Sequence, residues 1–163
     1  MKQFQKIEQL IKNLSKFISL KCSFNVFIPK PHTPFQWEKF PDCERYSETK
    51  RRLLKNLSGN RFVKLKFHPY EMSAIECLLS KGNRKLGKVI ESVWKSGGKM
   101  ENWSECFSFE RWQSAMEKNL LDFKDYLGDN PDICNRWKHI RVSLPFDKLL
   151  MIGKNYYKSI KPL

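Results

Sequence analysis

The segment FIPKPHTPFQW, residues 27–37, places side chains that could do chemistry on an unusually stiff backbone. Its prolines fix φ and lower the entropy lost when the loop becomes ordered. Phe35 and Trp37 offer flat faces for stacking on a ligand or packing on a core. The residue types predict a rigid loop that presents hydrogen-bonding groups, and they fit equally a surface loop whose aromatics cap the core. The hydrogen-bonding side chains are Lys30, His32, Thr33 and Gln36.

His32 is the best single candidate for proton transfer, because imidazole changes charge near neutral pH. A structural hydrogen bond that pins the loop is at least as good an interpretation. Glu76 lies within an apolar stretch, where a catalytic carboxylate is one interpretation; a helix-surface glutamate, or one paired with Arg84, is the simpler one.

A basic cluster precedes a predicted helix and could bind an anion, since helix N-termini and cationic side chains both attract phosphate. It consists of Lys81, Arg84 and Lys85, with Lys88 nearby. A solvated helix face is the simpler alternative. Tryptophans could stack on bases, although tryptophan more often packs in a core; those considered are Trp94, Trp103, Trp112 and Trp137.

The chain carries a formal net charge of +14 and has a pI of about 9.7. This balance would attract RNA. However, only eight of the 31 basic residues are arginine, and arginine is the residue suited to bidentate phosphate contacts. A codon bias toward lysine would give the same composition, so a stand-alone RNA-binding module is the alternative function.

The five cysteines are evenly spread and form no CxxC or CxxxCxxC pattern. We therefore predict no disulfide scaffold and no metal site. The chain has no apolar run long enough to span a bilayer and no secretory signal, which predicts a cytoplasmic protein without membrane contact. Its length suits one domain or a piece of a larger one.

Apolar periodicity predicts an α/β chain. Pro29 ends the first predicted strand and Pro69 follows the second. Gly97 and Gly98 should stop one helix, and Gly153 should interrupt the last. The predicted helices are 3–20, 44–58, 71–80, 84–95, 107–118 and 146–160. The predicted strands are 22–28 and 61–67; residues 139–144 form a weak strand or an extended segment, and residues 121–135 are loop-like.

Four segments, in order, resemble a known family. FIPKPHTPFQW is similar to the final barrel strand and following loop of radical S-adenosylmethionine proteins of the cobalamin-binding-domain type, which are related to the methylthiotransferases. MSAIECLLSKGNRKLGKVIESVWKSGGKMENW resembles the family's segment after the barrel. FERWQSAM and RWKHIRVSLPFDKLLMI resemble its later helix and its terminal segment. The similarity covers nearly all of residues 20–152.

The resemblance implies the last helix–strand unit of an incomplete TIM-type barrel over residues 1–43, followed by an α-rich C-terminal extension over residues 44–163. In the complete enzyme, Phe27, Ile28 and Pro29 would contact the cofactor. The substrate-side loop would supply Lys30, His32, Thr33, Gln36 and Trp37. The parent's cofactors would be S-adenosylmethionine and a [4Fe–4S] cluster, with cobalamin as a further candidate, and its chemistry would be that of the 5′-deoxyadenosyl radical on an unknown substrate.

The departures from the family matter as much. The CxxxCxxC strand that holds the cluster is missing, so the chain should bind no cofactor alone and should not be a competent enzyme. Asn83 replaces an acid in the family's basic-Gly-Asp-Arg-Arg turn, Arg136 replaces proline, and Lys138 replaces an acid. We expect a fragment or an accessory subunit of a split enzyme that associates with a separately encoded N-terminal barrel half, or with itself.

Overall fold

The structure is a computed structural model that describes residues 2–128, 136–137, 139–140 and 142–160. The chain divides into two compact units. The first combines Met1–Phe27 with Pro41–Tyr70, and the second combines Ile28–Phe40 with Glu71–Leu163. Each unit is built from two separate stretches of the chain. The predicted division after residue 43 separates a barrel-like segment from an extension, so its boundary differs from those of the compact units. None of the helices in the described ranges is long and apolar enough to cross a bilayer.

The first unit is a helix followed by a β-α-β arrangement. Its elements are α1 (Lys2–Leu14), β1 (Leu20–Phe24), α2 (Cys43–Leu57) and β2 (Val63–Phe67). The strands are parallel and in register from Leu20 opposite Val63 to Phe24 opposite Phe67. Asp42 starts α2 by accepting a hydrogen bond from the Arg45 amide at 2.8 Å, a typical N-cap contact.

The core of this unit contains Ile11, Leu53, Leu57 and Val63. Both strands alternate between more and less buried residues, because successive strand side chains point to opposite faces. Lys64 and Lys66 occupy the exposed positions of β2. Glu8 is buried on α1 and accepts hydrogen bonds from Arg52 at 2.9 Å and Asn56 at 3.0 Å, so its charge is compensated.

The second unit is helical. Its elements are α3 (Tyr70–Lys81), α4 (Leu86–Lys95), α5 (Phe109–Lys118), α6 (Lys124–Leu127) and α7 (Phe146–Ile160). The core side chains include Ile75, Leu78, Leu86, Val89, Val93, Trp112 and Met116. Gly97 has φ of +90°, and the Gly98 amide donates to the Val93 carbonyl at 2.9 Å. This left-handed glycine ends α4 as predicted.

Some boundaries differ from those predicted. Helix α1 ends at Leu14 and not at residue 20, since the Ser15 hydroxyl donates to the Lys12 carbonyl at 2.9 Å and the chain turns there. Strand β1 ends at Phe24, before Pro29. Of the two alternatives for residues 139–144, the strand is wrong for the described residues, which form turns and bends except at residue 142, where no regular structure is assigned; residue 141 lies outside the described ranges. A short helix, α6, interrupts the predicted loop at 121–135, of which residues 129–135 are outside the described ranges.

The prediction that Gly153 breaks the last helix is wrong, because α7 runs from Phe146 to Ile160. The glycine has a different purpose. A Cβ placed on it would lie 2.6 Å from the carbonyl oxygen of Pro34. A hydrogen atom at this position lets the proline-rich loop approach the helix backbone.

Candidate functional site

The proline-rich loop is anchored to α7 by its aromatic residues. The Phe35 and Tyr156 rings meet edge to face with centroids 4.8 Å apart, and those of Trp37 and Phe146 do so at 5.3 Å. Gly153 provides the space for Pro34. Of the two interpretations of these aromatics, packing therefore has direct contacts in its favour, including those of Trp37 from the predicted substrate-side loop.

The polar residues inside the loop mostly fold it. The Thr33 hydroxyl donates to the Lys30 carbonyl at 2.8 Å, and the His32 amide donates to the side-chain oxygen of Gln36 at 3.2 Å. Gln36 is buried, with 3% of its surface exposed. His32 adopts φ of 59°, a conformation that non-glycine residues rarely adopt and that neighbouring contacts must hold.

The His32 imidazole is a polar group of the loop that is buried without a full set of hydrogen bonds. Its Nε2 atom is buried and has no hydrogen-bond partner among the residues that the structure describes. A buried nitrogen without a partner costs about 1–3 kcal/mol. Such an atom in a strained turn marks a position that an additional donor or acceptor would stabilise, which keeps His32 as a functional candidate.

Lys30 forms the exposed polar centre of the loop. Its ammonium lies 2.6 Å from Glu76 Oε1 and 2.9 Å from the Ser80 hydroxyl. The alternative in which Glu76 pairs with Arg84 is thereby corrected, since Lys30 is the pair that the structure shows. Both side chains are about half exposed, so solvent screens the pair and an incoming anion could compete for the ammonium.

The predicted cofactor contacts lie just beyond β1, which ends at Phe24. Phe27 is 54% exposed, Ile28 is half-buried, and Pro29 is fully buried. Ligands of α/β proteins commonly sit beyond the carboxyl ends of parallel strands. Phe27 is thus exposed in a position where a planar ligand group could contact it.

The predicted anion cluster loses one of its three members. Lys81 is 3% exposed, and its ammonium donates to the Glu38 carbonyl at 2.5 Å. It points into the second unit because it shares a helix face with Ser73 and Cys77, which are also buried. Its prediction as a surface cation was therefore wrong for a reason visible in the i, i+4, i+8 spacing.

The other two members line an open groove of about 700 Å³. Arg84 and Lys85 are exposed at the start of α4, and Arg136 and His139 line the same groove. Trp137 also lines it, with a buried Nε1 that has no partner within the described ranges. The sequence does not reveal that these residues line one groove, because no local spacing connects residues near position 84 with residues near 136.

The tryptophans on and between α4 and α5 differ in their exposure to solvent. Trp112 is buried and donates to Glu101 at 3.1 Å. Arg111 also pairs with Glu101, so this carboxylate organises the start of α5. Trp94 and Trp103 are 60% and 59% exposed, and base stacking stays a prediction for these two residues.

Four cysteines lie among the described residues, and all are free thiols: Cys22, Cys43, Cys77 and Cys106. Among the described residues, no group of three or more His, Cys, Asp or Glu side chains could hold a metal ion. Burial raises the pKa of the Cys77 thiol to about 11, against a smaller opposing effect of Lys81. A thiol that resists deprotonation is a poor metal ligand. Cys134 lies outside the described residues.

Comparison with known proteins gives one similarity. The chain is 28% identical over 90 residues to the uncharacterized protein MJ0966 of Methanocaldococcus jannaschii. The match covers 52% of this chain and 19% of that protein, so the chain spans well under half the length of this relative. No protein-family model and no solved structure matches the chain.

Proposed function

We propose that this chain is the C-terminal part of a radical S-adenosylmethionine protein and acts within a larger assembly, in the cytoplasm, without activity of its own. The observation that carries the proposal is the parallel pair β1–β2 joined by α2, with FIPKPHTPFQW following β1. Parallel strands joined by helices are the repeating unit of TIM-type barrels. Here α2 and β2 continue this arrangement beyond residue 43, in the segment that the resemblance assigns to the C-terminal extension.

The exposed face of α1 supports a missing partner. Phe4, Ile7 and Leu10 are 39%, 42% and 57% exposed, although apolar side chains at helical spacing normally pack against another element. Among the described residues, β1 pairs only with β2, so its other edge is available to a further strand. A separately encoded barrel half would cover both features.

Within the assembly, Lys30 is the residue we assign to the substrate. Its ammonium can exchange Glu76 for an anionic group of the substrate, and the three prolines hold its backbone. The His32 imidazole would complete this side. The iron–sulfur cluster would belong to the partner, which would supply the redox chemistry.

Two experiments test this proposal. The purified chain, reconstituted with iron and sulfide, should bind no stoichiometric [4Fe–4S] cluster by visible absorption and iron analysis. Affinity purification of the tagged chain from its own cells should recover a protein with a CxxxCxxC strand. A stoichiometric cluster on the isolated chain, or a monodisperse monomer that recovers no such protein, would contradict the proposal.

RNA binding is a second candidate function, favoured by the exposed Trp94 and Trp103 together with the charge of +14. Aromatic stacking and cationic side chains are the usual means of binding single strands. A salt titration of affinity for single-stranded RNA separates the two functions. Tight binding with a steep salt dependence that weakens in Trp94→Ala supports the RNA module, and weak binding with a flat dependence supports the fragment.

A further inference from the structure

The groove beside α4 has the size and lining of a small-molecule site. Its volume of about 700 Å³ lies inside the range of roughly 300–1,000 Å³ typical of such sites. Leu79, Leu86 and Ile90 provide an apolar wall. Trp137 adds an aromatic surface at the same place.

The described charged residues of the groove are cationic. Its lining includes Arg84, Lys85 and Arg136, as well as His139, and no Asp or Glu is among the lining residues that the structure describes. Neither Arg84 nor Lys85 has a side-chain ion pair with any residue that the structure describes. Their charge is therefore available to an anion, in contrast to that of Lys81.

Arg136 is already oriented. Its guanidinium donates to the Lys81 carbonyl at 3.1 Å and lies over the Tyr126 ring, 4.9 Å from the centroid. A guanidinium held in this way loses little further freedom on binding, and preorganisation favours affinity. Asn83 similarly orders the turn before α4 by accepting from the Lys85 amide at 3.0 Å.

Recognition would rest on side chains more than on main-chain amides. The amides of Leu86, Gly87 and Lys88 already donate to carbonyls of the preceding turn, at 3.0, 3.1 and 3.2 Å. The start of α4 thus contributes its positive field, while Arg84, Lys85 and Arg136 would contact the anion directly.

We propose that this groove binds a nucleoside diphosphate, with the phosphates on Arg84, Lys85 and Arg136 and the base against Trp137 and the apolar wall. An inorganic anion would contact only the cations and would leave the apolar wall exposed to water. A neutral nucleoside would pack against the apolar wall and would leave the cations without an anionic partner. A molecule with both parts, of nucleotide size, matches the whole lining. The site is separate from the proline-rich loop and does not depend on the proposed role of that loop.

The test is isothermal titration of the full chain at physiological ionic strength with ADP, adenosine and inorganic phosphate. ADP should bind at least tenfold more tightly than either of the others. The double variant Arg84→Ala/Lys85→Ala should weaken ADP binding by roughly 100-fold, since each lost charged contact is worth about tenfold. Trp137→Leu should weaken ADP binding and leave phosphate binding unchanged.

The matched control is Arg51→Ala/Lys55→Ala. It removes one arginine and one lysine from exposed positions of α2, so it lowers the net charge equally and should leave ADP affinity within about twofold. Equal weakening in both double variants, equal affinity for ADP and phosphate, or no ADP binding to the wild type would each overturn the proposal. If the groove variant fails to fold, Arg84→Gln tests the same contact with less disturbance.

Discussion

The proline-rich loop and the α4 groove make opposite use of polar residues. In the loop, Thr33 and Gln36 hydrogen-bond within the loop itself. In the groove, Arg84 and Lys85 form no ion pair with the residues described. The loop is thus mainly a structural segment with one half-exposed cation, Lys30, that could exchange its partner, while the groove has cations that are available to a ligand.

The difference shows that a short segment rich in polar residues does not by itself indicate a ligand-binding site. A short stiff segment must satisfy most of its own polar groups first, and FIPKPHTPFQW does so at Thr33 and at the side-chain oxygen of Gln36, while His32 Nε2 has no partner among the described residues. A site with available charge arises where distant segments meet, as Arg84 and Arg136 do in the groove. The contrast predicts that equivalent substitutions in neighbouring positions will have very different effects.

The largest expected effect separates the two lysines of the predicted basic cluster. Lys81→Met keeps most of the buried methylenes and removes the ammonium that donates to the Glu38 carbonyl. We expect a loss of about 2–3 kcal/mol in the free energy of unfolding, because a buried carbonyl loses a charged donor. Lys85→Met, at an exposed position, should change it by less than about 0.5 kcal/mol. Urea denaturation measures both, and equal values would contradict the assignment of Lys81 to the interior.

Two glycines test whether the loop is braced against α7. Gly153→Ala forces a Cβ to within 2.6 Å of the Pro34 carbonyl, and overpacking of this kind costs about 1–3 kcal/mol. Gly87→Ala, on α4 with no atom near its Cβ, should stabilise the protein by about 0.5–1 kcal/mol through helix propensity. Thermal unfolding of both variants checks the prediction. Stabilisation by both would show that the loop does not approach the helix.

The buried Cys77 gives the stability of the protein a pH dependence that originates in the interior of α3. Burial raises the pKa of its thiol from 9.0 to about 11, so between these values the unfolded chain releases a proton that the folded chain keeps. Stability should therefore fall as the pH rises above 9. The difference between wild type and Cys77→Ala should shrink by about 1–2 kcal/mol between pH 8 and pH 10.5. A difference that stays constant across this range would contradict the shifted pKa.

Local chemistry made part of the fold predictable. The left-handed Gly97 ends α4, and alternation in VKLKF defines β2, because both depend on neighbours in the sequence. The predicted helix 44–58 is confirmed as Cys43–Leu57 for the same reason.

The missed features all depend on distant partners. Lys30 meets Glu76 across 46 positions, and Arg136 meets Lys81 across 55. Glycine inside a helical pattern predicts an interruption at Gly153, and the sequence does not reveal that Pro34 lies against it. Nothing local distinguishes these contacts, whereas the inward face of Lys81 could have been inferred from its helical spacing with Cys77.

The smallest expected effect concerns the pair that the proposed function depends on. Lys30 and Glu76 are 2.6 Å apart but about half exposed, and exposed pairs contribute about 0.2–1 kcal/mol. A double-mutant cycle with Lys30→Met and Glu76→Gln should give a coupling energy within this range, and it should decline as salt is added. A coupling well above it, insensitive to salt, would indicate that the pair is a structural lock. Lys30 would then be committed to Glu76 in the same way that Lys81 is committed to Glu38, and it would no longer be the adaptable cation through which the loop could contact a substrate.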